Sequence, residues 1–103
     1  AVRIIKVFKY LSEQKKEFVL SKQLLRCGTS IGANIEEAIG GQSGKDFFAK
    51  LTISYKEARE THYWIRLLKD TDYLSVEEAD SLLKDVDELL RIIGSIQKKL
   101  RNS

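Results

Sequence analysis

Few side chains in this chain could do chemistry, and their spacing narrows what that chemistry is. His62 is the single histidine. A di-iron bundle needs Glu-x-x-His on two of its helices, and the residue three before His62 is Arg59. On a helix face shared with apolar residues, His62 reads as a hydrogen-bonded packing residue. Cys27 is the single cysteine, so no internal disulfide and no cysteine zinc cluster can form, and it reads as a small buried hydrophobe. The run GGQSGKD has the outline of a phosphate loop. However, Ile39 stands where a Walker sequence needs glycine, and Asp46 stands where it needs serine or threonine. No catalytic group, metal ligand or cofactor site is assigned, and the expectation is a protein that is not an enzyme and has no small-molecule substrate.

The polar residues that do form a pattern lie on helices. From Ser21 to Gly41 the sequence predicts a helix with Leu24, Cys27, Gly28, Ile31, Ile35, Ala38 and Ile39 toward one direction. Arg26, Ser30, Ala33 and Glu37 lie on the reverse side, with Asn34 at its margin. In the following helix Phe47, Phe48, Leu51, Tyr55, Ala58, His62 and Ile65 share a face that should dock on helix two. Ile53, Trp64 and Leu67 project to the other side, interleaved with Glu57 and Glu60. A monomer would leave that tryptophan wet, so this side is expected to be a subunit contact.

These residues must be positioned by a single domain, residues 1–103, of 43% hydrophobic and 32% charged composition with no proline. The sustained 3.6-residue periodicity predicts an all-α, up-down antiparallel four-helix bundle, with helices near 1–14, 22–39, 44–69 and 76–101. Helix one carries Ile4, Val7, Phe8 and Leu11 on one face. It is short beside helices three and four, which leads to the expectation that the natural chain begins upstream and that this helix is truncated. Ser21 is expected to cap helix two, with Leu20 and Leu25 as a hydrophobic staple. Gly28 and Gly32 each cost about 1 kcal/mol in a helix interior, and close helix packing is the expected compensation. Gly40 and Gly41 are expected to end the helix in the left-handed region. Ser43 with Asp46 and Ser75 with Glu78 read as capping boxes. Helix four carries Ala79, Leu82, Val86, Leu89, Ile93, Ile96 and Leu100 as one seam. No apolar run approaches the roughly 18 residues of a membrane span, and Arg3, Lys6 and Lys9 break any signal-peptide core, so a cytoplasmic protein without membrane contact is expected.

The central stretch LLRCGTSIGANIEEAIGGQSGKDFFAKLTISYKEARETHYWIRLL resembles the four-helix bundle family encoded in intervening sequences of bacterial 23S ribosomal RNA genes. The residues that carry the resemblance are Arg26, Ser30, Ile31, Asn34, Ile35, Glu37, Phe47, Lys56, Glu57, Glu60, Tyr63 and Trp64. Departures are glycine at Gly28 and Gly32, and a glutamate at Glu36. The resemblance implies ring-like homo-oligomers, pentamers among them, and no known catalysis. A similar bundle serves as the accessory protein of diversity-generating retroelements, where a basic ring contacts the reverse transcriptase and nucleic acid. Arg26, Ser30, Asn34, Glu37, Ile53, Glu57, Glu60, Trp64 and Leu67 are accordingly the expected oligomer interface. Its bland counterpart is a set of exposed ion pairs within one subunit, worth about 0–1 kcal/mol each.

Charge is uneven: residues 1–30 carry a net +5, residues 31–70 balance, and residues 71–103 carry −2. Arg3, Lys6, Lys9, Lys15 and Lys16 are the candidate contacts for RNA or a ribonucleoprotein. The same lysines could be only a solvated face, and the assembly a protein adaptor with no nucleic-acid role. Lys98, Lys99 and Arg101 read first as partners of the helix-four dipole.

Overall fold

The computed structural model describes residues 1–41 and 43–102. Gln42, within the glycine-rich run, and Ser103, the last residue of the domain read from the sequence, lie outside the described residues. Four helices follow one another: α1 Val2–Glu13, α2 Leu20–Ile39, α3 Gly44–Asp70 and α4 Val76–Arg101. Each packs against the one before it. They alternate in direction, because Ser54 meets Ile31 and Thr61 meets Cys27 across α2 and α3. Likewise Thr52 meets Gln97, and Lys69 meets Asp80, across α3 and α4. Arg3 closes the bundle by reaching from α1 to α4, its Nη1 2.6 Å from Asp85 Oδ2 and its Nη2 3.6 Å from Glu78 Oε1. The all-α, up-down four-helix architecture is therefore present.

The start of α2 differs from the expected serine cap. The helix begins at Leu20, and the Glu17 carboxylate accepts from the backbone N–H groups of Val19, Leu20 and Ser21 at 3.2, 3.1 and 2.8 Å. Ser21 is fully buried and donates its hydroxyl to the Glu17 carbonyl at 2.7 Å. A carboxylate satisfies the helix-start donors better than a hydroxyl does, because it is charged and opposes the positive end of the dipole. Leu20 therefore lies inside the helix and not in the staple position.

The end of α2 also differs. Gly40 sits at φ −82°, and among the described residues no glycine has a positive φ. Left-handed backbone instead occurs at Lys16 and Asp72. After α3, Asp72 N–H donates to Lys69 O at 3.1 Å and Tyr73 N–H to Leu68 O at 2.9 Å, a Schellman arrangement with aspartate in the place usual for glycine. Ser43 and Ser75 cap as expected, accepting from Asp46 N at 3.0 Å and Glu78 N at 3.1 Å.

Gly28 and Gly32 part company. A Cβ at Gly28 would stand 2.8 Å from Ile4 Cγ2, so α1 presses onto α2 there. A Cβ at Gly32 would meet nothing within 4 Å. The difference follows from the extent of α1. Ile4, Val7 and Leu11 join Leu24, Ile65 and Leu82 in a four-helix core. Beyond it only three helices meet, around Ala38, Leu51 and Ile93. A depression of about 440 Å³ there has Gly32, Ile35, Leu89 and Ile92 in its wall. Leu89 is 36% exposed, Ile92 41% and Ile39 70%, so the expected core roles of Leu89 and Ile39 do not hold within the chain.

The buried face of α3 is also rotated from expectation. It consists of Leu51, Ser54, Ala58, Thr61, Ile65 and Leu68. Phe47, Phe48, Tyr55 and His62 are only partly buried at its edge. Small hydroxyl residues fit where α2 and α3 approach closely, and larger rings are pushed to the margins.

In urea denaturation, Gly28→Ala is expected to lower stability by about 1–3 kcal/mol, since stiff Ile4 cannot move aside. Gly32→Ala should instead raise stability by up to about 1 kcal/mol. Glu17→Ala should cost about 1–2 kcal/mol through three uncapped N–H groups.

Candidate functional site

The side chains most ordered on the outer surface belong to α2 and α3. Glu57, Glu60 and Trp64 follow at helical spacing along α3, beside Arg26 of α2. Arg26 Nη1 lies 3.4 Å from Glu57 Oε2, and Nη2 donates to Glu60 Oε2. Gln23 Oε1 accepts from the same guanidinium at 3.4 and 3.3 Å. Trp64 Nε1 donates to Glu60 Oε2 at 2.9 Å, and its ring packs on the core. The tryptophan is thus partly covered within one chain, contrary to the expectation that it would be wet. The ring of Tyr63 meets it edge-on, with centroids 5.0 Å apart.

The other expected interface residues are placed differently. Asn34 is buried, and its Nδ2 donates to Ser30 O at 2.9 Å and Ser30 Oγ at 3.0 Å, so the pair serves α2 itself. Glu37 pairs with Lys50 at 3.3 Å, farther along the bundle. Ile53 is exposed and Leu67 half-buried on the outer side of α3. Arg26, Glu57, Glu60 and Trp64 form one connected network, and the remaining five surround it or turn inward.

His62 lies on the side of α3 that faces α4. Its Nε2 is 3.1 Å from Asp87 Oδ1, and its Nδ1 accepts from Arg66 Nε at 3.0 Å. Both ring nitrogens are therefore occupied in the neutral tautomer that carries its proton on Nε2. Cys27 is buried, with Thr61 Oγ1 donating to its sulfur at 3.2 Å. Burial pushes the Cys27 thiol above its ordinary 9.0, against the lowering effect of that hydrogen bond. Among the described residues no cluster of three or more histidine, cysteine or acidic side chains could hold a metal ion. No described helix is long and apolar enough to cross a membrane.

Of the candidate nucleic-acid contacts, Arg3 is engaged with Asp85 and Glu78. Lys6, Lys9, Lys15 and Lys16 are exposed, with the Lys15 ammonium 6.0 Å from the Tyr10 ring centroid. Glu17 and Gln23 stand two to four residues from the groups they bind, a local spacing that is a signal for both.

A thiol reagent is expected to modify Cys27 only when the protein unfolds. Because the native thiol holds its proton above the ordinary value, stability should fall as pH rises past about 9.0, measured by denaturation at fixed ionic strength. Arg26→Ala should cost no more than about 1 kcal/mol in a monomeric sample, since its ion pairs are half in water.

The sequence matches the 23S rRNA-intervening sequence protein family over residues 1–95. No curated protein matches it. Among solved structures, it is similar to a protein of unknown function from the S23 ribosomal protein family of Bacteroides thetaiotaomicron VPI-5482. The two share 50% identity over 94% of this chain and 90% of the other, with a TM-score of 0.93. The family's function is unknown and no catalytic activity is indicated for it. With the four helices, their order and the matched stretch in agreement, the chain belongs to the 23S rRNA-intervening sequence protein family.

Proposed function

We propose that the protein is a non-catalytic subunit of a ring-like homo-oligomer, pentameric as the family resemblance implies, whose first-helix lysines contact structured RNA or a ribonucleoprotein. The observation that carries this reading is how charge is allocated near the start of the chain. Lys6, Lys9, Lys15 and Lys16 are exposed, and none forms an ion pair among the described residues. Glu17, one of only two acids in residues 1–30, is committed to backbone amides of α2 and pairs with none of these lysines. Repeating such a face around a ring multiplies a modest charge into a field that attracts phosphate.

The self-association half of the reading is supported by the outer face of α2 and α3. Exposed Ile53 and half-buried Leu67 flank the Arg26, Glu57, Glu60 and Trp64 network. A sister copy placed there would exclude water from charged hydrogen bonds, which strengthens them.

Sedimentation should give a mass several times that of one chain, reduced by Ile53→Asp with helicity unchanged. A native protein that is monomeric at every concentration overturns the assembly. Binding to a hairpin RNA should weaken steeply with salt, and Lys6→Glu with Lys9→Glu should flatten that slope by about one unit per lost phosphate contact. Binding that ignores salt overturns the RNA reading.

A further inference from the structure

The geometry points to a second, distinct nucleic-acid contact: a groove between α3 and α4, flanked by Arg59 and Arg66 with Tyr63 beside it against Arg66, that holds single-stranded RNA. Arg59, His62 and Arg66 line a depression of about 290 Å³ together with Asp87 and Leu90 of α4. Arg66 is pre-positioned. Its Nε donates to His62 Nδ1 at 3.0 Å, and its guanidinium carbon lies 5.8 Å from the Tyr63 ring centroid. His62 is itself held by Asp87 at 3.1 Å, and the single negative charge of Asp87 is outnumbered by the two guanidinium groups that line the same depression. The two terminal nitrogens of Arg66 are left for an incoming oxygen anion, and they present the planar fork that suits phosphate. Arg59 is exposed and forms no ion pair among the described residues.

Spacing and chemistry favour a strand over an isolated anion. Seven residues separate the arginines, about 10 Å along the helix at 1.5 Å per residue. Two cations at that separation can each hold a different phosphate of one strand. Between the two arginines, Tyr63 is 48% exposed, braced edge-on by Trp64 and overlain by Arg66. Aromatic rings and guanidinium planes are the platforms on which unpaired bases stack, and a paired duplex cannot offer its bases this way. The groove is also compatible with self-assembly. Arg59 and Arg66 lie about 100° or more around α3 from Glu57, Glu60 and Trp64, so a ring built through the latter leaves both arginines open, with Tyr63 at the border where its ring meets Trp64.

The inference does not rest on the lysine face, and the experiment separates the two. The full chain is titrated with fluorescent oligouridine and, in parallel, with a fully paired hairpin RNA, at several salt concentrations. Tyr63→Ala is expected to weaken oligouridine binding by about 5- to 150-fold, with Tyr63→Phe retaining it. Arg59→Gln and Arg66→Gln should each flatten the salt slope for oligouridine by about 0.7, the value for one phosphate contact on a single strand. All four variants change exposed side chains, and circular dichroism should report unchanged helicity. Lys6→Glu with Lys9→Glu should act chiefly on the hairpin. Hairpin binding without oligouridine binding overturns the groove and leaves the lysine reading standing, and oligouridine binding alone does the reverse. Oligouridine binding that is indifferent to Tyr63→Ala and to both arginine changes, or that is displaced equally by an acidic peptide, also overturns the groove.

Discussion

The close approach of α2 and α3 is the constraint on which the other features depend. It is lined by small side chains, Cys27 on α2, and Ser54, Ala58 and Thr61 on α3, all buried. Two of these carry hydroxyls that would cost about 1–3 kcal/mol each if left without partners. Ser54 is satisfied across the contact by the Ile31 carbonyl at 3.0 Å, and Thr61 by the Glu57 carbonyl of its own helix at 2.8 Å, with the Cys27 sulfur of α2 3.2 Å from its hydroxyl. Among the described residues no buried side-chain nitrogen or oxygen lacks a partner. This buried face of small residues sets the rotation of α3, so the outward side of α3 is decided by which residues α2 accepts. Arg26 meets Glu57 and Glu60, and His62 is turned toward α4, as consequences of that rotation.

Along its length the bundle changes character. Where α1 is present, four helices enclose Leu11, Leu24, Ile65 and Leu68, all fully buried. Where it is not, the same stripe of α2 that receives Ile4 at Gly28 continues through Gly32 and Ile35 to exposed Ile39. Leu89 and Ile92 of α4 face the same space. The apolar pattern on α2 and α4 is therefore longer than the helix that covers it. Arg3 stands at the junction, joining α1 to α4 through two carboxylates, and its charge is consequently directed into the fold.

The surface is divided by charge commitment more than by charge number. Arg3, Arg26, Lys50 and Lys69 each pair with a carboxylate on a neighbouring helix. They hold helices together at the modest energies typical of solvent-exposed pairs. The α1 lysines and Arg59 are among the cations that do not pair, and so their charge is directed to solvent. Membership of a family whose function is unknown, and a relative 50% identical that is also of unknown function, make this partition of the surface the most direct guide to partners.

Helix number, order and approximate bounds were legible in the sequence, because a 3.6-residue apolar period with serine caps at Ser43 and Ser75 is local information. So was the resemblance to the family, carried by residues from Arg26 to Trp64. The cap of α2 was not: Glu17 acts through a turn whose Lys16 is left-handed, and chain folding there decides which oxygen reaches the amides. Nor was the exact face of α3, since periodicity cannot tell whether a neighbouring helix comes close enough to prefer Ser54 and Thr61 over Tyr55 and His62. Gly28 and Gly32 are identical in sequence terms and separated only by where Ile4 lands. The sequence by itself determined which segments are helical and which stripes are apolar. Only tertiary structure decided which polar groups are committed and which are free, because that depends on distances between helices that no single helix encodes.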